Sequence, residues 1–456
     1  GIVLDVILIV IILLNVIICY KKGLVKLAVG LVAVIVSLIL AIILYKPVTN
    51  IIIKNTEIDE TEYTQKFSKE TEELNLKIDV EGTYYLHVLT VDNAGNKKET
   101  ISSAVTVEEA LVADGNYNAS KGVNTPKLGS GMTPIKWNGS SWVNTTGSDK
   151  DWYDYTSKKW ANAKTSDGSM WVWIPRYAYS ITSGYHSSST GNIEVEFMKG
   201  LTNETSTGRK SFNNASGQGK WNIHPAFNYG TTVSGIWVAK FEASNSGGKI
   251  KVEPGVQSWR SITVNDIYTN CLNYNKTLNS HMMKNDEWGA VAYLSKSKYG
   301  KNAEVDINSD SSYYTGGGSG NAYVTNVGQS TTGTVYGVYD MSGGAWEYVA
   351  AYVNNGNSNL TNYGSSLVNG EAKTKNVYSK GSSDSRDNNY SANSGKYGDA
   401  VYETSANGNS SSSSWYGDYS SFPYTSNPFF RRGGYYNNGT NAGVFYFNYS
   451  NGDSYS

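Results

Sequence analysis

Two apolar runs at the start of the chain limit what this sequence can become more than any other feature. Residues 1–20 are apolar apart from Asp5 and Asn15, and residues 27–45 are apolar apart from Ser37. Each is close to the roughly 20 residues that cross a hydrocarbon core. Lys21, Lys22 and Lys26 lie between them around Gly23, so the connector is short and basic. The pattern predicts a two-helix transmembrane hairpin over 1–56, with its basic turn at the cytoplasmic face and both ends facing outward. A signal peptide fits the first run poorly, because no basic flank precedes it and no A-x-A-like site follows.

Beyond the hairpin the character of the chain changes twice. Residues 57–73 (EIDETEYTQKFSKETEE) are acidic and polar and read as a solvated linker. Over 74–112, Leu74, Leu76, Ile78 and Val80 alternate, Tyr84, Leu86 and Val88 alternate, a turn follows at 92–96, and Val105 with Val107 closes the set. Period-two alternation interrupted by a turn cluster predicts three β-strands. From 113 onward Gly, Ser, Asn, Tyr and Trp dominate. Residues 113–234 form a Trp/Tyr-rich first part, with a strand-like cluster at 170–175, and 235–456 a second part, with another at 236–241. A helical period is clear once, over 281–299, where Met282, Trp288, Val291, Ala292 and Leu294 can share a face and Asn285 can cap. The biased stretch 388–426 reads as loop. Loop-rich domains need anchors, and tryptophan supplies them by burying a large area while donating its N–H to a loop carbonyl.

Composition narrows the chemistry. Lys plus Arg number 38 against 39 Asp plus Glu, so a nucleic-acid partner is not expected. Cys19 lies in an apolar run that Cys271 could hardly reach, which argues against a disulfide. His87, His186, His224 and His281 are scattered without metal-ligand spacing, so neither a metal nor another cofactor is expected.

Several blocks resemble known families. LDVILIVIILLNVIICYKKGLVKLAVGLVAVIVSLILAIILYKPVTNIIIKNTEID resembles the start of the colicin V production (CvpA) family of small bacterial inner-membrane proteins. EGTYYLHVLTVDNAGNKKE is similar to the last strands of bacterial Ig-like modules; the piece is either a truncated spacer or the product of an imperfect join. GIWVAKFEAS, HMMKNDEWGAVAYLS, YGVYDMSGGAWEYVA and FRRGGYYNNGTNAGVF resemble, in order, the signature blocks of the formylglycine-generating-enzyme, or sulfatase-modifying-factor, family. The implied fold class is α+β: a loop-rich C-type-lectin-like domain, preceded by the transmembrane hairpin and a short all-β Ig-like piece. In that resemblance Glu242, Trp288, Asp340, Gly343, Trp346, Arg432 and Gly433 are framework positions. The family's oxidase activity uses a cysteine pair with copper, and Cys271 stands alone, so that activity is not carried over.

RRGGYYNNGTNAGVFYFNYSNGDSYS resembles the variable segment of retroelement-diversified proteins, which lies at the end of such a fold. The resemblance implies a ligand-binding face made by Tyr435, Tyr436, Asn438, Tyr446, Asn448, Tyr449, Asn451, Asp453 and Tyr455, with Ser450 and Ser454 beside them. It also implies a terminal strand beyond Ser456. Tyr offers large contact area at low entropy cost, and Ser, Asn and Gly offer adaptable hydrogen bonds, which favours the same role. The expectation is a membrane-anchored bacterial surface protein with an extracellular domain binding a protein or glycan ligand. Two alternatives stand beside it: an enzyme, either an oxidase of the formylglycine-generating-enzyme kind or a hydrolase using carboxylates such as Glu242, Glu287, Asp340 and Glu347, and a CvpA-like membrane protein with a passenger domain.

Overall fold

The computed structural model describes residues 82–84, 87–91, 97–101, 105–107 and 117–454. The chain divides into two units, Gly1–Asp79 and Val80–Ser456, and all described residues belong to the second. Within 82–107 the strand Gly82–Tyr84 pairs antiparallel with Val105–Val107, and His87–Val91 pairs antiparallel with Lys97–Ile101. The segment expected as one strand over 84–88 is thus divided between two ladders. Lys97–Ile101 (KKETI) escaped notice because a ladder is made by backbone groups, and this strand carries a single large apolar side chain. The strand expected over 74–80 lies outside the described residues.

The expected fold class is corrected. Among the described residues no helix is long and apolar enough to cross a membrane, and the longest α-helices have 11 residues. The expected hairpin over 1–56 lies outside the described residues. The described residues form a β-rich domain with four α-helices: α1 Val264–Tyr274, α2 Asn285–Ser295, α3 Asn359–Asn369 and α4 Arg386–Ala392. Three of these helices were not anticipated. In α1 Val264, Ile267, Tyr268, Cys271 and Leu272 repeat at helical spacing behind a Thr263 cap, but polar Asn, Asp and Thr between them mask the period. The short α4 overlaps the stretch expected to be loop.

Three sheets carry most of the domain. The first runs Gly235–Ala239, Met170–Pro175, Asn162–Lys164, Thr133–Trp137, Trp142–Asn144, and its pairings are antiparallel. The two aromatic clusters visible in the sequence are direct partners in it, with Trp173 opposite Trp237. The second pairs Tyr177–Ser183 with Asn192–Phe197 and Asn222–Ile223. The third is mixed, in the order Asn376–Ser379, Glu347–Asn354, Phe429–Gly433, Gly443–Ser450, Ser420–Ser421, Asn409–Ser410.

Between them α2 is buried along its whole length. Its cap is Lys284 rather than Asn285: the Lys284 N–H donates to Glu287 Oε2 at 2.8 Å. Asn285 is the first helical residue, and its amide reaches Tyr378 Oη at 2.8 Å. Tryptophan indoles tie loops to this core, Trp152 to Asn162 O, Trp160 to Tyr299 O, Trp237 to Lys127 O and Trp415 to Gly184 O, all between 2.7 and 2.9 Å.

One buried acid shows how the core treats charge. Glu403 Oε2 accepts from Tyr179 Oη at 2.8 Å, Tyr293 Oη at 3.0 Å and the Gly398 N–H at 2.7 Å, while Oε1 is buried without a partner. Burial pushes its pKa from 4.5 up to about 7. A proton held more tightly in the folded state stabilises the fold below pH 4.5, and that contribution is lost as pH rises to about 7. The loss amounts to about 3 kcal/mol. Glu403→Gln keeps an acceptor for the three donors and puts an amide at the unpartnered position. Urea unfolding at pH 4.5 and 7.5 should show the variant losing about 3 kcal/mol less than the native chain across that interval; equal losses would contradict the assignment.

Candidate ligand-binding site

The turn after Phe429–Gly433 starts the candidate site. Gly433 and Gly434 take successive left-handed conformations, φ 77° and 78°, which L side chains rarely adopt. A Cβ on Gly434 would also lie 2.8 Å from Ala442 Cβ. The backbone that follows is pinned by one side-chain and one main-chain acceptor: the Tyr435 N–H donates to Asn438 Oδ1 at 2.8 Å, and the Tyr436 N–H to Gly344 O at 2.9 Å. Tyr435 and Tyr436 are therefore presented half-buried, with their rings 5.3 Å apart.

From this pair a chain of aromatic contacts runs both ways. Tyr436 packs edge-on against Tyr313 at 4.9 Å, and the guanidinium of exposed Arg260 lies 3.9 Å over Tyr313. In the other direction Tyr435 lies 4.4 Å from Trp346, over which Arg431 stacks at 4.1 Å. Trp346 Nε1 donates to Tyr446 Oη at 3.2 Å, and Tyr446 lies 5.8 Å from Tyr419. Tyr419, Tyr424 and Tyr449 all act electrostatically on Arg386, which lies 4.8 and 4.9 Å over Tyr424 and Tyr449. The result is a ridge of half-buried tyrosines and a tryptophan with arginines stacked along it. Trp259 and Ser261, which flank Arg260 in sequence, line an open groove of about 480 Å³ with Thr263, Asp266 and Ser454.

The structure sorts the residues expected to bind ligand. Tyr435, Tyr436 and Tyr449 are on the ridge, and Asn438 holds its turn. Asn448 is half-buried and donates to Tyr446 Oη at 2.9 Å. Tyr446 itself is 2% exposed, so it supports the ridge from beneath rather than offering contact area. Asn451 and Asp453 pair with each other at 2.8 Å, beyond the strand Gly443–Ser450. Ser450 Oγ meets Tyr348 Oη at 2.6 Å, and Tyr455 lies outside the described residues. Sequence reasoning missed Arg260, Tyr313, Arg386, Tyr419, Tyr424 and Arg431. They come from four separate stretches of chain, and only the presence of aromatic and arginine residues in loops hinted at them.

Of the framework positions Trp346 stands half-buried on the ridge itself, and the others lie beneath it. Trp288 Nε1 donates to Val444 O at 2.8 Å, and Gly343 N–H to Gly433 O at 3.1 Å. Three acids stand close together, Glu242 and Asp340 buried and Glu347 half-buried. Burial, with Glu347 and Asp340 nearby, raises Glu242 well above the carboxylate range, and burial pushes Asp340 up to about 6. Glu347 is raised by burial and then by Asp340. Asp340 accepts from the Gly316 N–H at 2.8 Å, Asn308 Nδ2 at 3.0 Å and the Glu242 N–H at 3.3 Å; Glu242 accepts from the Ala345 N–H at 3.0 Å and from the Ser258 hydroxyl. Glu287 accepts from His281 Nε2 at 2.9 Å and caps α2. The oxygens of Glu242, Asp340 and Glu287 are thus engaged in holding loops, cap and neighbouring side chains together. The Tyr446 hydroxyl can be tested in the same way. Tyr446→Phe strands the Trp346 N–H and the Asn448 amide, and thermal or urea unfolding should register a loss of about 1–2 kcal/mol; a neutral result would show that both donors find other partners.

Residues 4–69 match the family described as colicin V production protein. No curated protein matches the chain.

Proposed function

We propose that the chain is a membrane-associated bacterial protein whose β-rich domain binds a protein or glycan ligand outside the cell, without catalysing a reaction. The observation that carries the binding role is the run of contacts from Arg260 through Tyr313, Tyr436, Tyr435 and Trp346 to Arg431, linked from beneath by buried Tyr446 towards Tyr419 and Arg386. Tyr, Trp and Arg are the side chains that dominate binding energy at interfaces, because they bury large area with few rotors and keep a polar end. The similarity of residues 4–69 to colicin V production proteins supports the membrane association. A non-catalytic role is supported by Cys271, whose thiol is pushed up to about 12 by burial and so resists becoming a nucleophilic thiolate.

The test is a panel of bacterial surface glycans and proteins offered to the full chain in lipid nanodiscs, with Trp346→Ala/Tyr435→Ala/Tyr436→Ala in parallel. Any ligand the native chain selects should bind the triple variant about a hundredfold more weakly, while a cooperative unfolding transition shows that the variant is folded. Equal binding by both would move the site elsewhere.

The family match favours a second reading, in which residues 4–69 act in a membrane process of the colicin V production type and the domain is a passenger. Complementation separates the two. Restoration of a deletion phenotype by residues 1–69 alone supports the passenger reading, and failure of the ridge triple variant to restore it supports the binding reading.

A further inference from the structure

Three guanidinium groups stand along the ridge, and among the described residues none of them is in an ion pair. Some other cations of the domain are paired. Arg209 meets Glu196 at 2.9 Å, Lys136 meets Asp149 at 2.7 Å, and Lys301 meets Asp306 at 2.6 Å. Arg260, Arg431 and Arg386 are instead placed by the rings beneath them.

Three acids close to the ridge residues in sequence are engaged by amides. Asp384 accepts from Asn355 Nδ2 at 2.9 Å and Asn389 Nδ2 at 2.7 Å, and Asp310 accepts from the Ser312 N–H at 2.8 Å. Asp387, next to Arg386, accepts from Asn409 Nδ2 at 3.4 Å.

A guanidinium stacked by its face keeps its N–H donors in the plane of the fork, and that edge matches a carboxylate with two parallel hydrogen bonds. Arg431 Nε is buried without a hydrogen-bond partner, so no internal acceptor competes for this guanidinium at that nitrogen. Arg386 Nη1 donates to Asn409 Oδ1 at 2.7 Å and Nη2 to Tyr424 Oη at 3.4 Å, which fixes the orientation of the group. The rings between the arginines offer apolar area between points of positive charge. That alternation fits an extended chain with carboxylates at intervals, and the Tyr, Trp and Arg content is that of a protein interface.

We infer that the ridge recognises an acidic protein segment, whose Asp or Glu carboxylates are taken by Arg260, Arg431 and Arg386 while its backbone and stems lie across Tyr436, Tyr435 and Trp346. This rests on the reading of the ridge as the binding face and names the ligand that face takes.

The experiment is fluorescence anisotropy on the full chain in nanodiscs of neutral lipid, with labelled oligoglutamate, oligolysine and oligogalacturonate as probes. Oligoglutamate should bind, and its Kd should rise about tenfold or more between about 50 and 300 mM NaCl. Arg386→Met/Arg431→Met should weaken it about tenfold or more, with Arg431→Lys restoring only part, because a lysine keeps the charge without the fork. Oligolysine should not bind. Thermal unfolding checks that each variant is folded. Absence of oligoglutamate binding at low salt overturns the inference, and binding of oligogalacturonate alone overturns the assignment to protein. A surface ligand that needs Trp346, Tyr435 and Tyr436 but ignores the arginines overturns the acidic ligand and leaves the ridge as the binding face. Ligand binding that ignores both sets overturns both.

Discussion

The guanidinium of Arg432 is the interaction around which the C-terminal half is assembled. It is 0% exposed, and its nitrogens reach Asn285 Oδ1 at 2.9 Å, Asp399 O at 3.2 Å and Ala400 O at 3.0 Å, with Trp288 5.4 Å below. A buried cation without such acceptors would be strongly unfavourable, so these groups and the strand Phe429–Gly433 must assemble together. The bonds join the first turn of α2 and the 399–400 loop to the central part of the mixed sheet. Because side chains alternate along a strand, locking Arg432 inward sets Arg431 on the opposite face, stacked on Trp346. The core and the ridge are thus fixed by one register.

The same economy of charge runs through the domain. Lys240 is fully buried and gives its ammonium protons to Val335 O at 2.6 Å and Gly337 O at 2.8 Å, above the Trp142 ring. Carboxyls at Glu242, Asp340 and Glu403 accept backbone N–H groups. In a chain of long loops these groups replace the ladders that regular elements would supply, since each buried N–H or C=O must find a partner.

How far this was legible in the sequence depends on where the information lay. The paired strands at 170–175 and 235–239 and the buried face of α2 could be read, because large apolar side chains recur at a fixed period. Helix α1 carried a period of its own, obscured by intervening polar residues, and Lys97–Ile101 carried almost none. The ridge was half legible. Tyr435, Tyr436 and Tyr449 stand out in a Tyr/Asn-rich segment, but Tyr313, Tyr419 and Tyr424 join them only through tertiary packing. Tyr446 marks the limit of reasoning from residue type. It has the side chain of a contact residue, and the fold lays Trp346 and Asn448 against its hydroxyl.

The division between what holds the ridge and what forms it has a consequence for change at this face. The backbone of Tyr435 and Tyr436 is held by Asn438 and Gly344, and the turn itself by glycines and by Arg432 in the preceding strand. The phenol rings contact chiefly one another, Tyr313 and Trp346. Substitutions at such positions remove contacts within the ridge and leave the buried polar network intact, so their effects on folding stay separate from those of the core. Altering Arg432 or Glu242 would instead leave buried groups without partners, at far greater cost. A surface whose phenol rings touch chiefly one another can change those rings while the turn beneath keeps its shape.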